Sequence, residues 1–298
     1  MRLISYCLSV VLALSALAAE PALPAPAFHT SRLGAYKLVS LLTDQGVWPI
    51  GAMIDMPRGK MLAALKAAKL GPDIDTSNNA FLIDTGSRRI LIDAGDNVLA
   101  SLKAAGYQPE QIDDILLTHL HSDHVVGLAN KGARVFPNAT VHVERHETDF
   151  WLEPANTTKL PAGFDVHFKD AKAALAPYQA AGRLALFDGD AAILPSVRAV
   201  SRFGHTPGHV NYLVESEGKR LVAIGDGVLV AALQFPYPET VFKVDPDKAG
   251  TARAQRAIYR DAAEHGDLVA GAHLAFPGLG YLHAAGEGFA WQAVKKGE

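Results

Sequence analysis

Apolar residues recur along this chain in short runs broken by glycine, proline and charge, the pattern of a mixed α/β fold. Ala35 to Thr43 predicts an opening strand. Behind Pro57, Lys60 to Leu70 carries apolar residues at helical spacing until Gly71-Pro72 stops it. Ala80 to Asp84 and Arg89 to Asp93 flank Thr85-Gly86-Ser87 and predict a hairpin. Asn97 to Ala105 predicts a helix, Asp113 to Thr118 a buried strand, and Thr140 to Glu144 another strand. Ala171 to Ala181 predicts a helix broken or kinked at Pro177. Val197 to Arg202 predicts a strand, and Val210 to Glu215 with Arg220 to Ile224 a second hairpin about Ser216-Glu217-Gly218. A long helix over Pro246 to Glu264 and a short strand over Leu268 to Gly271 complete the pattern.

The two hairpins echo one another. Residues 81–92 and 212–223 share one apolar and charged pattern, and each runs on to a glycine and an aspartate. Two unrelated apolar hairpins would look much the same. If the echo is a repeat, the fold is two similar α/β halves with their sheets face to face. A site would then lie along the edge where strand ends of both halves converge.

The first residues stand apart from this pattern. Arg2 supplies a positive n-region, Leu8 to Leu17 an apolar core, and Ala16-Leu17-Ala18 a small-x-small cleavage site. Residues 1–18 are therefore expected to be a signal peptide, with export to the periplasm or the extracellular space. The apolar run is too short to span a bilayer, so no stable membrane insertion is expected after cleavage. Residues 19–34 are expected to form an extended, proline-rich leader, and residues 35–298 a single domain. Cys7 is the only cysteine, so the mature chain would have no thiol and no disulfide.

Composition narrows the partners. The chain has 298 residues, 49% of them hydrophobic, enough for a sizeable core. The formal charge is −3 and no run of Lys or Arg forms a basic stripe, which argues against nucleic acid and anionic membrane surfaces as partners; a small-molecule substrate is expected instead, from the site chemistry below. A homodimer is compatible with this composition.

The chemistry concentrates at Thr118-His119-Leu120-His121-Ser122-Asp123-His124, directly after an apolar strand. His119 and His121 lie two apart, so on an extended segment both rings face one metal. Asp123 and His124 follow after the chain turns and can face a second ion. Imidazole and carboxylate suit zinc in open sites. Two metals need more ligands, and three later segments offer them. Gly204-His205-Thr206-Pro207-Gly208-His209 follows a strand. Ile224-Gly225-Asp226-Gly227 ends another strand, and Ala270-Gly271-Ala272-His273 ends the last.

This order of motifs resembles the metallo-β-lactamase fold superfamily, from about residue 35 to residue 283. The resemblance implies a four-layer αββα sandwich with two divalent ions, zinc first among them, at one edge of the sheets. By position, it implies that His119, His121 and His205 bind one metal and that Asp123, His124 and His273 bind the other. Asp226 would bridge them. His209 would not be a ligand, and Asp93 would support ligand histidines through hydrogen bonds.

Val135-Phe-Pro-Asn-Ala-Thr-Val-His-Val, Phe150-Trp151, Val244-Asp-Pro-Asp-Lys-Ala and Ala272-His-Leu-Ala-Phe-Pro-Gly-Leu-Gly are similar to the methyl parathion hydrolase and quorum-quenching lactonase branch. That branch implies a binuclear hydrolase in which a metal-bridging hydroxide attacks an ester, lactone or phosphotriester. Asp123 would hold the hydroxide and pass a proton to the leaving group, and Asp226 would be the second catalytic carboxylate. Phe150, Trp151 and Phe276 are candidates for an apolar substrate wall, with core packing the competing role. His142, His146 and His167 lie off the motifs and are expected to be ordinary surface or strand residues.

Rival members of the superfamily differ in their ligands. His121 stands where flavodiiron-type redox proteins usually carry a glutamate. A cysteine-ligand β-lactamase needs a thiol, and other β-lactamases lack the bridging carboxylate. A glyoxalase II-like thioesterase shares the full ligand set. A catalytically inactive binding or sensing member of the fold is the non-enzyme alternative, and the complete set of seven ligands argues against it.

Overall fold

The computed structural model describes residue 25 and residues 27–295. The expected signal peptide lies outside the described residues. Two seven-stranded sheets dominate, and in each the strands lie side by side in sequence order. The first contains β1 (Ala27–Leu33), β2 (Tyr36–Pro49), β3 (Asp73–Asp84), β4 (Arg89–Ile92), β5 (Asp114–Leu116), β6 (Thr140–Glu144) and β7 (Leu184–Phe187). The second contains β8 (Ala191–Leu194), β9 (Val197–Ser201), β10 (Val210–Ser216), β11 (Lys219–Ala223), β12 (Leu268–Ala270), β13 (Leu279–Ala285) and β14 (Gly288–Ala293).

β1 corrects the expected domain start. Residues 27–33, assigned to the leader, pair with β2 from Ala27↔Leu42 to Leu33↔Tyr36. The prolines that disfavour pairing all precede this strand.

The hairpin echo is visible in the pairing. Phe81↔Ile92 to Asp84↔Arg89 in the first sheet matches Tyr212↔Ala223 to Glu215↔Arg220 in the second. After each hairpin the chain crosses over through a helix and adds a parallel strand, β5 beside β4 and β12 beside β11. The helices labelled here are α1 (Arg58–Ala67), α2 (Val98–Ala104), α3 (Ser122–Val125), α4 (Arg145–Trp151), α5 (Asp165–Ala180) and α6 (Lys248–His265).

Alternation along the strands explains the layers. Leu38, Phe81, Ile83, Ile90 and Ile92 face inward and pack with Tyr212, Val214, Leu221, Ala223 and Leu268 between the sheets. Their neighbours Val39, Ala80, Leu82 and Leu91 face outward, under α2 and α5. Val222 and Val269 face outward from the second sheet, under Ile258, Tyr259 and Ala262 of α6. The result is the expected αββα sandwich. α6 starts where the Asp247 side chain accepts the Gly250 N–H and ends at Gly266 in a left-handed conformation. α5 begins at Asp165, six residues ahead of the predicted start, and runs through Pro177. No helix among the described residues is long and apolar enough to cross a membrane.

Candidate metal centre

All seven predicted ligands converge at one edge of the sandwich. His119 and His121 follow β5, and Asp123 and His124 sit in α3. His205 lies between β9 and β10, Asp226 follows β11, and His273 follows β12. β11 and β12 run parallel, so the loops after them leave the second sheet at one end, where they meet the segment after β5.

Two donor clusters form, one of His119, His121, His205 and Asp226, the other of Asp123, His124 and His273. Asp226 stands between them with one oxygen for each. Its Oδ2 lies 3.2 Å from His205 Nε2 and 3.7 Å from His119 Nε2. Its Oδ1 lies 3.0 Å from both His124 Nε2 and His273 Nε2. His121 Nδ1 lies 3.0 Å from His119 Nε2 and 3.2 Å from His205 Nε2. Asp123 Oδ2 lies 3.4 Å from His273 Nε2 and 3.6 Å from His124 Nε2.

These spacings fit divalent metals. Ligands about 2.0–2.1 Å from a tetrahedral ion stand roughly 3.3 Å from one another. His124 Nε2 and Asp226 Oδ1 are buried and have no aligned hydrogen-bond partner, although they face each other. A buried polar atom without a partner is costly unless something else engages it. A cation between the clusters would engage both.

The outer nitrogens of four of these imidazoles are held in place, which turns each Nε2 toward the centre. His124 Nδ1 donates to Asp93 Oδ2 at 2.9 Å. His205 Nδ1 donates to Asp245 Oδ1 at 2.8 Å, and His273 Nδ1 to Asn78 Oδ1 at 3.0 Å. His119 Nδ1 donates to Thr118 Oγ1 at 3.1 Å, because that hydroxyl donates to Asp93. Asp93 thus holds two of the predicted ligand histidines, His124 directly and His119 through Thr118. Asp245 and Asn78 carried no local sequence signal for this role, and Asn78 reaches His273 across 195 residues.

His209 stays off both clusters. Its Nε2 accepts the backbone N–H of Asp226 at 3.2 Å, so this nitrogen is already committed. Gly225 makes that approach feasible, since a Cβ there would lie 2.7 Å from the same Nε2 and its φ is +49°. His167, expected to be an ordinary surface or strand residue, is half-buried on α5 and faces the centre. The early start of α5 places its ring 4.5 Å from that of His121, with Nδ1 accepting the Ser122 N–H at 3.0 Å. His142 and His146 instead pair with Asp114 and Glu144, away from the clusters.

Charge within the centre is tightly balanced. Burial pushes His119 and His121 well below the usual imidazole range, the neutral form a metal requires. Burial also lowers His209 to about 3. For His205 burial acts the same way, but Asp226 and Asp245 prevail and raise it to about 10. Asp226, Asp123 and Asp93 likewise overcome burial at His124 and raise it. Burial would raise Asp226, yet the surrounding His273, His124 and His119 hold it well below the carboxylate range.

A narrow apolar cleft opens beside His121 and His205. Phe150, Trp151, Leu160 and Phe164 line it together with Pro207, Val244 and Pro246. Trp151 is 2% exposed, packed in the core, and also lines this cleft. Phe276 does not line the cleft. Its backbone N–H donates to Ser77, on the His273 side, where Trp48 packs 5.1 Å from His273.

An αββα sandwich with paired His and Asp clusters at its edge defines a superfamily. The chain belongs to the metallo-β-lactamase superfamily, whose family model matches residues 73–267. The structure resembles the hydrolase AbOPH of the beta-lactamase superfamily, with a TM-score of 0.85 and 35% identity over 90% of this chain and 97% of that one. It shares its fold with AidC, a dizinc quorum-quenching lactonase, at a TM-score of 0.79 and 23% identity over 91% and 98% of the two chains. An N-acyl homoserine lactonase of Bacillus cereus is 30% identical over 132 residues, 43% of each chain. The match thus spans less than half the length of that curated relative.

Proposed function

We propose that this protein is a binuclear metal hydrolase acting on an ester, lactone or phosphotriester that carries an apolar substituent. The carrying observation is the division of Asp226, one oxygen toward each donor cluster, with five imidazoles completing the two sets. Five histidines and two aspartates favour zinc over harder ions. When bound, the two ions supply Lewis acidity and lower the pKa of water.

The chain's own residues supply the rest. The cleft walled by Phe150, Trp151 and Phe164 takes the apolar substituent and excludes water beside His121 and His205. Asp123 is the most solvent-accessible of the carboxylates at the centre, with its side chain 27% exposed. Asn78 Nδ2 donates to its Oδ2 at 3.3 Å, which steadies it to accept a proton from the attacking water and return it to the leaving group. The names of the similar proteins, lactonases and a hydrolase, support the same reaction class.

A screen of lactones, aryl esters and phosphotriesters against the zinc-loaded protein tests this reading, with metal content measured alongside. Turnover of one class that disappears on chelation is expected. Two bound ions with no turnover of any class would favour a binding or sensing role instead. We also infer export, from the charged, apolar and small-residue pattern of residues 1–18. Mass spectrometry of the native protein should find a start near Ala19, and an intact Met1 would refute it.

A further inference from the structure

Glu147 is fully buried on α4 and belongs to neither donor cluster. Its carboxylate accepts N–H groups from three separate segments. Oε2 takes the backbone N–H of Leu120 at 3.0 Å and the indole N–H of Trp151 at 2.9 Å. Oε1 takes the backbone N–H of Gly208 at 2.7 Å. Leu120 sits between His119 and His121, and Gly208 sits three residues after His205. The two loops come from different halves of the sandwich. Val210 N–H donates to Thr118 O at their base, 3.0 Å away, and Glu147 ties them again further along.

The chemistry favours an ionised carboxylate here. All three partners are donors, so both oxygens must accept, and bonds to a charged acceptor are roughly twice as strong as neutral ones. Burial leaves the pKa of Glu147 raised, and hydrogen bonding from Thr206, Gly208, Leu120 and Trp151 opposes that rise. The fit also explains Gly208. A Cβ there would lie 2.7 Å from Glu147 N and would collide with the Glu144 carboxylate.

We propose that Glu147 is a positioning residue that clamps the two loops bearing His119, His121 and His205 and couples them to the cleft wall at Trp151. The proposal rests on the binuclear reading above. It predicts a selective effect, because Glu147 bonds to the loops of His119, His121 and His205, while His124, His273 and Asp123 are held from elsewhere. Asp93 holds His124, and Asn78 holds His273 and Asp123. Neither touches Glu147.

The test is a zinc titration against a competing chelator on wild type, Glu147→Gln and Trp151→Phe. Histidine 15N NMR assigns each ion to its imidazoles, and thermal melting monitors folding. Glu147→Gln places an amide N–H₂ where N–H groups now approach. It should weaken binding at His119, His121 and His205 by about 10–100-fold, the scale for loss of an outer support. Binding at His124 and His273 should stay near wild type. Trp151→Phe deletes one of the three bonds and should shift the same cluster in the same direction by less.

A folded Glu147→Gln that binds both ions as wild type does would overturn the clamp. So would equal weakening at both clusters, the signature of a general structural defect. If Glu147→Gln fails to fold, Trp151→Phe decides by the same comparison. A wild type that binds no pair of ions refutes the binuclear reading, and the clamp with it.

Discussion

His205 and His209 lie in one loop four residues apart, yet the structure gives them different work. His205 Nε2 is within 3.2 Å of both Asp226 Oδ2 and His121 Nδ1, so His205→Ala reduces the first cluster from four donors to three. It also strands the Asp245 carboxylate, which is only 5% exposed, without its imidazole partner. The first ion should be lost or displaced, and turnover should fall by orders of magnitude, since two-metal chemistry needs both ions. His209→Ala deletes the acceptor for the Asp226 N–H and a buried ring that packs 5.1 Å from His119. Leaving a buried N–H unpaired costs about 1–3 kcal/mol. At about 1.4 kcal/mol per tenfold, that is a loss of roughly 5- to 150-fold in the property Asp226 controls. Metal content should stay near two ions. His209→Gln, whose side chain carries an acceptor oxygen, should recover part of the loss. Metal analysis and single-substrate kinetics on the three variants decide the matter. A His209→Ala protein that drops an ion while His205→Ala keeps both would show that the roles are reversed.

Asp226→Ala should abolish hydrolysis and release at least one ion, because two adjacent cations would lose the negative charge between them; full activity with two ions bound would mean a different aspartate bridges. Loading the metal-free protein near pH 7 should release protons, because His205, raised to about 10, and His124, also raised, must shed them to become ligands. Metal affinity should therefore fall as pH falls, and calorimetry in buffers of different ionisation enthalpy would expose the reasoning if no proton is released. The same shift adds stability to the metal-free fold that is complete below the ordinary imidazole value of 6.5 and is lost as pH rises through about 10. Trp151→Ala should destabilise the protein by about 3–5 kcal/mol in chemical denaturation; a loss under about 1 kcal/mol would show that its core role has been overstated.

The candidate ligands were legible because their signals are local. His119, His121, Asp123 and His124 crowd into six residues, and His205, Asp226 and His273 each follow an apolar strand with small neighbours. A strand-to-loop junction with glycine beside a lone imidazole or carboxylate has few packing explanations. The twin hairpins were legible for the same reason, since each is a contiguous stretch whose alternation and turn residues specify its own pairing.

Tertiary structure decided the rest. Asn78, Asp245, Glu147 and His167 are single polar residues with no periodicity or motif around them. Their roles appear only when strands and loops from separate parts of the chain meet, as when Asn78 faces a histidine 195 positions away. β1 escaped notice because it is a half-exposed strand at the sheet edge directly after a proline-rich run. β13 and β14 escaped because glycine and alanine dilute their alternation. Local sequence encodes which segments turn and which faces are apolar, but a partner is defined by distance in space. That distance is set only when the inward faces of both sheets close on one another and bring their loops to one edge.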